Sequence, residues 1–108
     1  MTTTTLDNHS GQIAFKNDVF RRQGHHFMVT DEVQYLPDVC GLIDAVQQFN
    51  EFGENNDPYG EHDFGQLLWH SKKVFWKIDY YDGALERWED PLSSKCNRVL
   101  TIMLASEY

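Results

Sequence analysis

The sequence predicts an α+β domain, an antiparallel sheet of about four strands packed against two helices. Apolar residues recur at helical spacing in two segments, while β-branched and aromatic residues concentrate in four short runs. These elements do not alternate as the βαβ units of a parallel sheet would. With 108 residues, 41% of them hydrophobic and 14% aromatic, the chain suits one core.

Residues 1–9 read as a disordered tail and 10–108 as a single domain. The start, Met1-Thr-Thr-Thr-Thr-Leu6, has neither the basic region nor the apolar stretch of a secretory leader, so a cytoplasmic protein is expected. Cys40 and Cys96 are then expected as free thiols.

A first helix is predicted from about Ser10 to Arg22. Ser10 suits the N-cap, and Phe15 with Val19, or Ile13 with Phe20, gives an apolar stripe. Arg21 and Arg22 favour its C-terminal dipole, and Gly24 can end it. His25–Thr30 reads as a strand, with Val33–Leu36 as a short continuation. Adjacent strand residues face opposite ways, so His25 and His26 do not form a chelating pair.

Pro37 suits the first turn of a second helix over 37–50, where Val39, Leu42, Ile43, Val46 and Phe49 share a face and Asp38 favours the start. Gly53, Asn55, Asn56, Pro58 and Gly60 make 52–60 a loop.

Phe64–Trp69 and Val74–Tyr81 read as a hairpin around His70-Ser71-Lys72-Lys73. Symmetric pairing puts Trp69 opposite Val74, Leu67 opposite Trp76 and Gly65 opposite Ile78, on one apolar face where Gly65 leaves room for Trp76 or Ile78. The opposite face carries Phe64, Leu68, Phe75 and Asp79, with His62 opposite Tyr81. Residues 82–97 are irregular, with a short helical turn near Ala84–Trp88. Arg98–Ala105 is the final strand.

The formal charge is −8, and its distribution is regional. Residues 23–71 contain no Lys or Arg but hold Asp31, Glu32, Asp38, Asp44, Glu51, Glu54, Asp57, Glu61 and Asp63. Such a surface repels nucleic acid and membranes and attracts basic partners. Direct nucleic-acid binding and membrane association are therefore not expected.

Three chemistries can be weighed. His62 with Asp79, Asp57 and Tyr81 would suit an acid–base or ligand-binding cluster, but no nucleophile has an evident place beside it. Asp57, Glu61, His62 and Asp63 do not fit a calcium-loop pattern, because Pro58 and Tyr59 fall where a ligand and a glycine are required. No metal or cofactor is expected, and no catalytic residue is assigned. The acidic stretch can instead imitate a polyanion. Phosphate-loop, dinucleotide and nucleophile-elbow signatures are absent.

Asn56-Asp-Pro-Tyr-Gly-Glu-His-Asp-Phe-Gly65, Lys77-Ile-Asp-Tyr-Tyr-Asp82 and Arg98-Val-Leu-Thr-Ile-Met-Leu-Ala-Ser-Glu-Tyr108, with Asn17-Asp18 and Arg21 before them, resemble a bacterial domain family of unknown function, number 3768. The resemblance spans roughly 12–108. It implies residence on proteobacterial plasmids and other mobile elements, and it brings no catalytic residues.

Mobile elements carry small acidic inhibitors of host restriction and CRISPR machinery. The expected function is therefore anti-defence binding: a blocker or DNA mimic on a basic site of a host nucleic-acid-binding protein. Glu51, Glu54, Asp57, Glu61 and Asp63 would supply charge, with His62 in the same loop and Tyr59 as the aromatic anchor. The alternatives are a small enzyme or ligand-binding domain using His62, Asp79, Asp57 and Tyr81, and a homodimer formed through Phe64, Leu68 and Phe75.

Overall fold

The computed structural model describes residues 5–108. The first four residues of the expected tail lie outside the described residues. Helix α1 spans Thr5–Gln23, five residues before the expected start at Ser10, and therefore takes up the rest of that tail. Gly24, at φ 74°, ends it and returns its N–H to the Phe20 carbonyl at 3.3 Å. The buried side of α1 is Ile13, Ala14, Asn17 and Arg21, whereas Phe15 is 68% exposed. Of the two possible stripes, the one through Ile13 is used, and two polar side chains are buried with it.

Strand β1 is short, Phe27–Val29. The expected continuation at Val33–Leu36 is instead a helical turn, α2 (Asp31–Gln34). Thr30 accounts for it: its hydroxyl accepts the Val33 N–H at 3.4 Å, and Asp31 and Glu32 occupy the first turn. Helix α3 spans Val39–Gln47. Asp38 caps it, accepting the Gly41 N–H at 3.0 Å, so Pro37 and Asp38 precede the helix.

Strands β2 (Phe64–Trp69) and β3 (Lys72–Tyr81) form the hairpin, and β4 spans Asn97–Leu104 before a 3-10 turn over Ala105–Glu107. Only His70 and Ser71 make the hairpin turn, both at positive φ (49° and 71°), as a two-residue type I′ connection requires. The register is thereby shifted by two from the expected one: Trp69 faces Lys72, Leu67 faces Val74 and Gly65 faces Trp76. A shift of two preserves the faces. Val74, Trp76 and Ile78 still line the core, and Trp69 Nε1 donates to the Pro37 carbonyl at 2.8 Å.

The sheet has four strands in the order β1-β4-β3-β2. It is mixed, not purely antiparallel, because β1 pairs in parallel with β4 over Phe27–Val29. β1 reaches β4 only at the end of the chain, after the helices and hairpin have intervened. That long crossover permits the parallel direction.

One side of the sheet is covered by helices. Val33, Leu42, Val46, Val74, Trp76, Leu100 and Ile102 are fully buried between the layers. Trp76 alone contributes about 2–3 kcal/mol by burial. A Cβ on Gly65 would overlap the Trp76 indole, so the missing side chain is what admits the ring. Residues 82–96 hold turns in place of the expected helical turn. Asp82 Oδ1 accepts the N–H groups of Ala84, Glu86 and Arg87, which holds its carboxyl below the usual range.

Candidate functional site

The 51–63 loop is shaped by its own polar side chains. Asn56 bonds the Gly53 N–H and the Glu51 carbonyl at 2.7 and 2.8 Å, closing the first turn. Asp57 Oδ1 accepts the Glu61 and His62 N–H groups, both at 3.2 Å, closing the second around Gly60 at φ 69°. His62, also left-handed at φ 57°, then turns the chain out of line with β2.

That turn carries His62 away from its expected partners. Its Nδ1 lies 3.0 Å from Asp18 Oδ1 on α1, and its Nε2 lies 3.6 Å from Asp57 Oδ2. Its ring stacks on Phe52, with centroids 3.9 Å apart and planes 4° from parallel. Asp79 instead pairs with Lys77 at 2.9 Å, while Tyr81 pairs with Asn97 on β4 and bridges to Trp88. Of the proposed His62, Asp79, Asp57 and Tyr81 cluster, only His62 and Asp57 come together.

Asp18 extends this group inward. It also accepts from the buried Arg21 at 3.1 Å, and Arg21 donates to the Phe49 carbonyl at 2.9 Å. The guanidinium lies over Phe52 and Trp76, 5.4 and 5.0 Å from their centroids. Burial lowers its pKa, with Asp18 opposing the shift.

A second chain of bonds runs beside the first. Asn17 donates to the Glu61 carbonyl and the Tyr80 hydroxyl, each at 2.9 Å, and accepts from Arg98 at 2.6 Å. Tyr80 donates to Asp63 at 3.4 Å. Burial raises the Tyr80 pKa well above that of a free phenol. Asn17, Asp18, Arg21, Tyr80 and Arg98 were not among the expected site residues. For Asn17 and Arg21 a signal was present in helical spacing, since they fall at i+4 and i+8 from Ile13; Asp18, Tyr80 and Arg98 had none of that kind.

The expected partner-binding residues therefore divide. Glu51, Glu54 and Tyr59 face solvent, the last 79% exposed. The Asp57 side chain is 6% exposed and is committed to the loop and His62. Glu61 and Asp63 are half-buried, and both have raised pKa values, caused first by burial and then by neighbouring carboxylates.

Outside this braced loop lies a hollow of about 380 Å³. Asp57, Tyr59, Asp63, Phe64, Lys77, Asp79 and Tyr108 are among the residues that line it. Among the described residues, no group of three or more His, Cys, Asp or Glu side chains is placed to hold a metal ion, and no helix is long and apolar enough to cross a membrane.

These features define a two-layer α+β protein with an open mixed sheet and an acidic loop pinned to its first helix. The chain matches the family described as Protein of unknown function (DUF3768) over residues 28–107, and it belongs to that family. No curated protein and no solved structure matches it. The matched span runs from β1 to the closing 3-10 turn, so Asn17, Asp18 and Arg21 brace the loop from outside it.

Proposed function

We propose that this protein acts by binding, setting its 51–63 loop on a basic site of a nucleic-acid-handling host protein. In that role it is an anti-defence inhibitor, anti-restriction or anti-CRISPR, that blocks or mimics DNA. The setting is the bacterial mobile element that the family resemblance implies.

The observation that carries the reading is the hollow beside Tyr59. Carboxylates and aromatic rings on adjoining walls suit a guanidinium, which takes bidentate hydrogen bonds in its plane and ring contacts on its faces. Asp79, which pairs with Lys77, would exchange that partner for the guanidinium, and Glu51 and Glu54 would extend the field for steering. With two of the five loop carboxylates fully outward and Asp57 turned in, recognition rests on a shaped arginine socket more than on a phosphate-like array.

An enzyme or ligand-binding role for His62 has less support. Both ring nitrogens already face carboxylates and one ring face is covered by Phe52, so neither nitrogen is directed at a substrate.

The test is a titration with short arginine-rich and lysine-rich peptides, followed by NMR at low and high salt. Arginine peptides should shift the Tyr59, Phe64 and Tyr108 signals, and Asp79→Asn should weaken them about tenfold. Equal affinity for both peptides, or affinity indifferent to salt, would sink the socket. Competition with DNA for a purified restriction or CRISPR effector tests the inhibitor itself.

A further inference from the structure

The two edges of the sheet are built differently. β1 has three residues, and the Val29 carbonyl is capped by the Gln34 amide at 3.2 Å. β2 has six, Phe-Gly-Gln-Leu-Leu-Trp, without the charge or proline that commonly blunts an edge.

The direction of its free groups follows from the ladder. The Asp63 carbonyl accepts from Ile78 on β3, so odd-numbered residues of β2 bond inward and the N–H and C=O of Phe64, Gln66 and Leu68 point outward. No described residue outside the sheet pairs with them. Leu68 is 71% exposed, and a hollow of about 310 Å³ separates Leu67–Trp69 from Ala45 and Phe49–Glu51, leaving the edge open.

We infer that β2 pairs antiparallel with β2 of a second copy of this chain. Three properties of the strand select a second copy as the occupant. Outward groups at Phe64, Gln66 and Leu68 allow a two-fold pairing centred on Gln66, with about six new backbone hydrogen bonds. In that register Phe64 faces the partner's Leu68 on the open side of the sheet, joining two apolar strips. On the helix side, Gly65 faces the partner's Leu67, where it offers no steric obstacle.

Charge complements the pairing. The strand is preceded by Glu61-His62-Asp63 and followed by His70-Ser71-Lys72-Lys73. Antiparallel pairing brings the acidic flank of each copy beside the basic turn of the other, twice by symmetry. A dimer through the outer face at Phe75 is less well supplied, because Tyr108 already packs on Phe64 and Phe75 at 5.7 and 5.4 Å. The edge contact shares Phe64 and Asp63 with the arginine socket, but its test, the mass in solution, does not depend on that reading.

Sedimentation equilibrium decides the matter. The unaltered chain should show the mass of two chains at about 100 μM, with a Kd in the micromolar range typical of a modest interface. Gln66→Pro removes an outward N–H and should give single chains with an unchanged circular dichroism spectrum. Leu68→Lys, at an exposed position that the fold does not need, should weaken the dimer at least tenfold, and Lys72→Glu with Lys73→Glu should do the same. Tyr108→Ala should leave it intact. Single chains for the unaltered protein at about 1 mM would overturn the inference. So would a dimer that survives Gln66→Pro, or, if that variant fails to fold, one that survives Leu68→Lys.

Discussion

Asp18 and His62, 44 residues apart in sequence, meet with Oδ1 and Oδ2 at 3.0 and 3.1 Å from the same ring nitrogen. This contact joins the first helix to the acidic loop. The same carboxylate also faces the fully buried Arg21, so Asp18 carries two partners whose environments differ. His62 is 28% exposed and can rehydrate, whereas Arg21 has no access to water.

The two ends of that arrangement should therefore respond unequally to mutation. Asp18→Ala leaves the buried guanidinium without its counter-charge and should cost about 3 kcal/mol or more. His62→Ala should cost about 1–2 kcal/mol, from a lost stack on Phe52 and lost hydrogen bonds. His62→Gly should cost about 1 kcal/mol less than His62→Ala, because glycine accepts φ 57° without strain. Urea unfolding of the three variants measures the order. An Asp18→Ala variant no worse than His62→Ala would mean that Arg21 does not depend on Asp18.

Much of the sheet was legible because period-two alternation fixes faces before it fixes partners. Val74, Trp76 and Ile78 fall on one face in any register shifted by an even number, so the core survived an error in the turn. The turn itself was not legible. His70 and Ser71 carry no glycine or asparagine, and their left-handed geometry comes from the strands they join. The direction of β1 was equally hidden, since three residues carry no mark of parallel pairing. At the site, sequence neighbours suggested Asp79 and Tyr81 for His62. The actual partner came from α1, a tertiary contact that no local spacing announces.

Gly65 and Trp76 are directly opposed, and the indole occupies the space above the glycine. Gly65→Ala should cost about 1–3 kcal/mol by overpacking. A smaller ring should recover part of that loss, so Trp76→Phe in the Gly65→Ala background should destabilise less than Trp76→Phe alone. A double-mutant cycle by thermal unfolding measures the coupling, and simple additivity would show that the glycine serves something other than the ring.

His70-Ser71 holds two non-glycine residues at positive φ in a tight turn. Replacing the pair with Asn-Gly keeps the geometry and relieves the strain. Stability should rise by about 1 kcal/mol, with the hairpin register unchanged. A lower melting temperature would place a side-chain contact of His70, such as its edge-on packing against Trp69 at 5.4 Å, above the backbone gain.

Glu61 and Asp63 give stability a pH dependence of definite sign. Both hold their protons above their ordinary values of 4.5 and 3.8, first through burial and then through neighbouring carboxylates, Asp57 among them. In the unfolded chain they ionise at those ordinary values. Between the unfolded and folded pKa, the folded state therefore binds more protons, and stability falls as pH rises through that window. From these two groups, lowering the pH from about 7 towards 4 should stabilise the fold, against the common pattern in which carboxylates are better paired when folded. Asp82 acts in the opposite direction, but it is exposed and its partners are backbone N–H groups of its own turn. Asp63→Asn keeps an acceptor for the Tyr80 hydroxyl and removes one titrating group. It should raise stability near pH 7 and flatten the slope on the acid side. Urea midpoints measured across that range test both effects, and an unchanged slope in Asp63→Asn would show that the buried carboxylate does not set it.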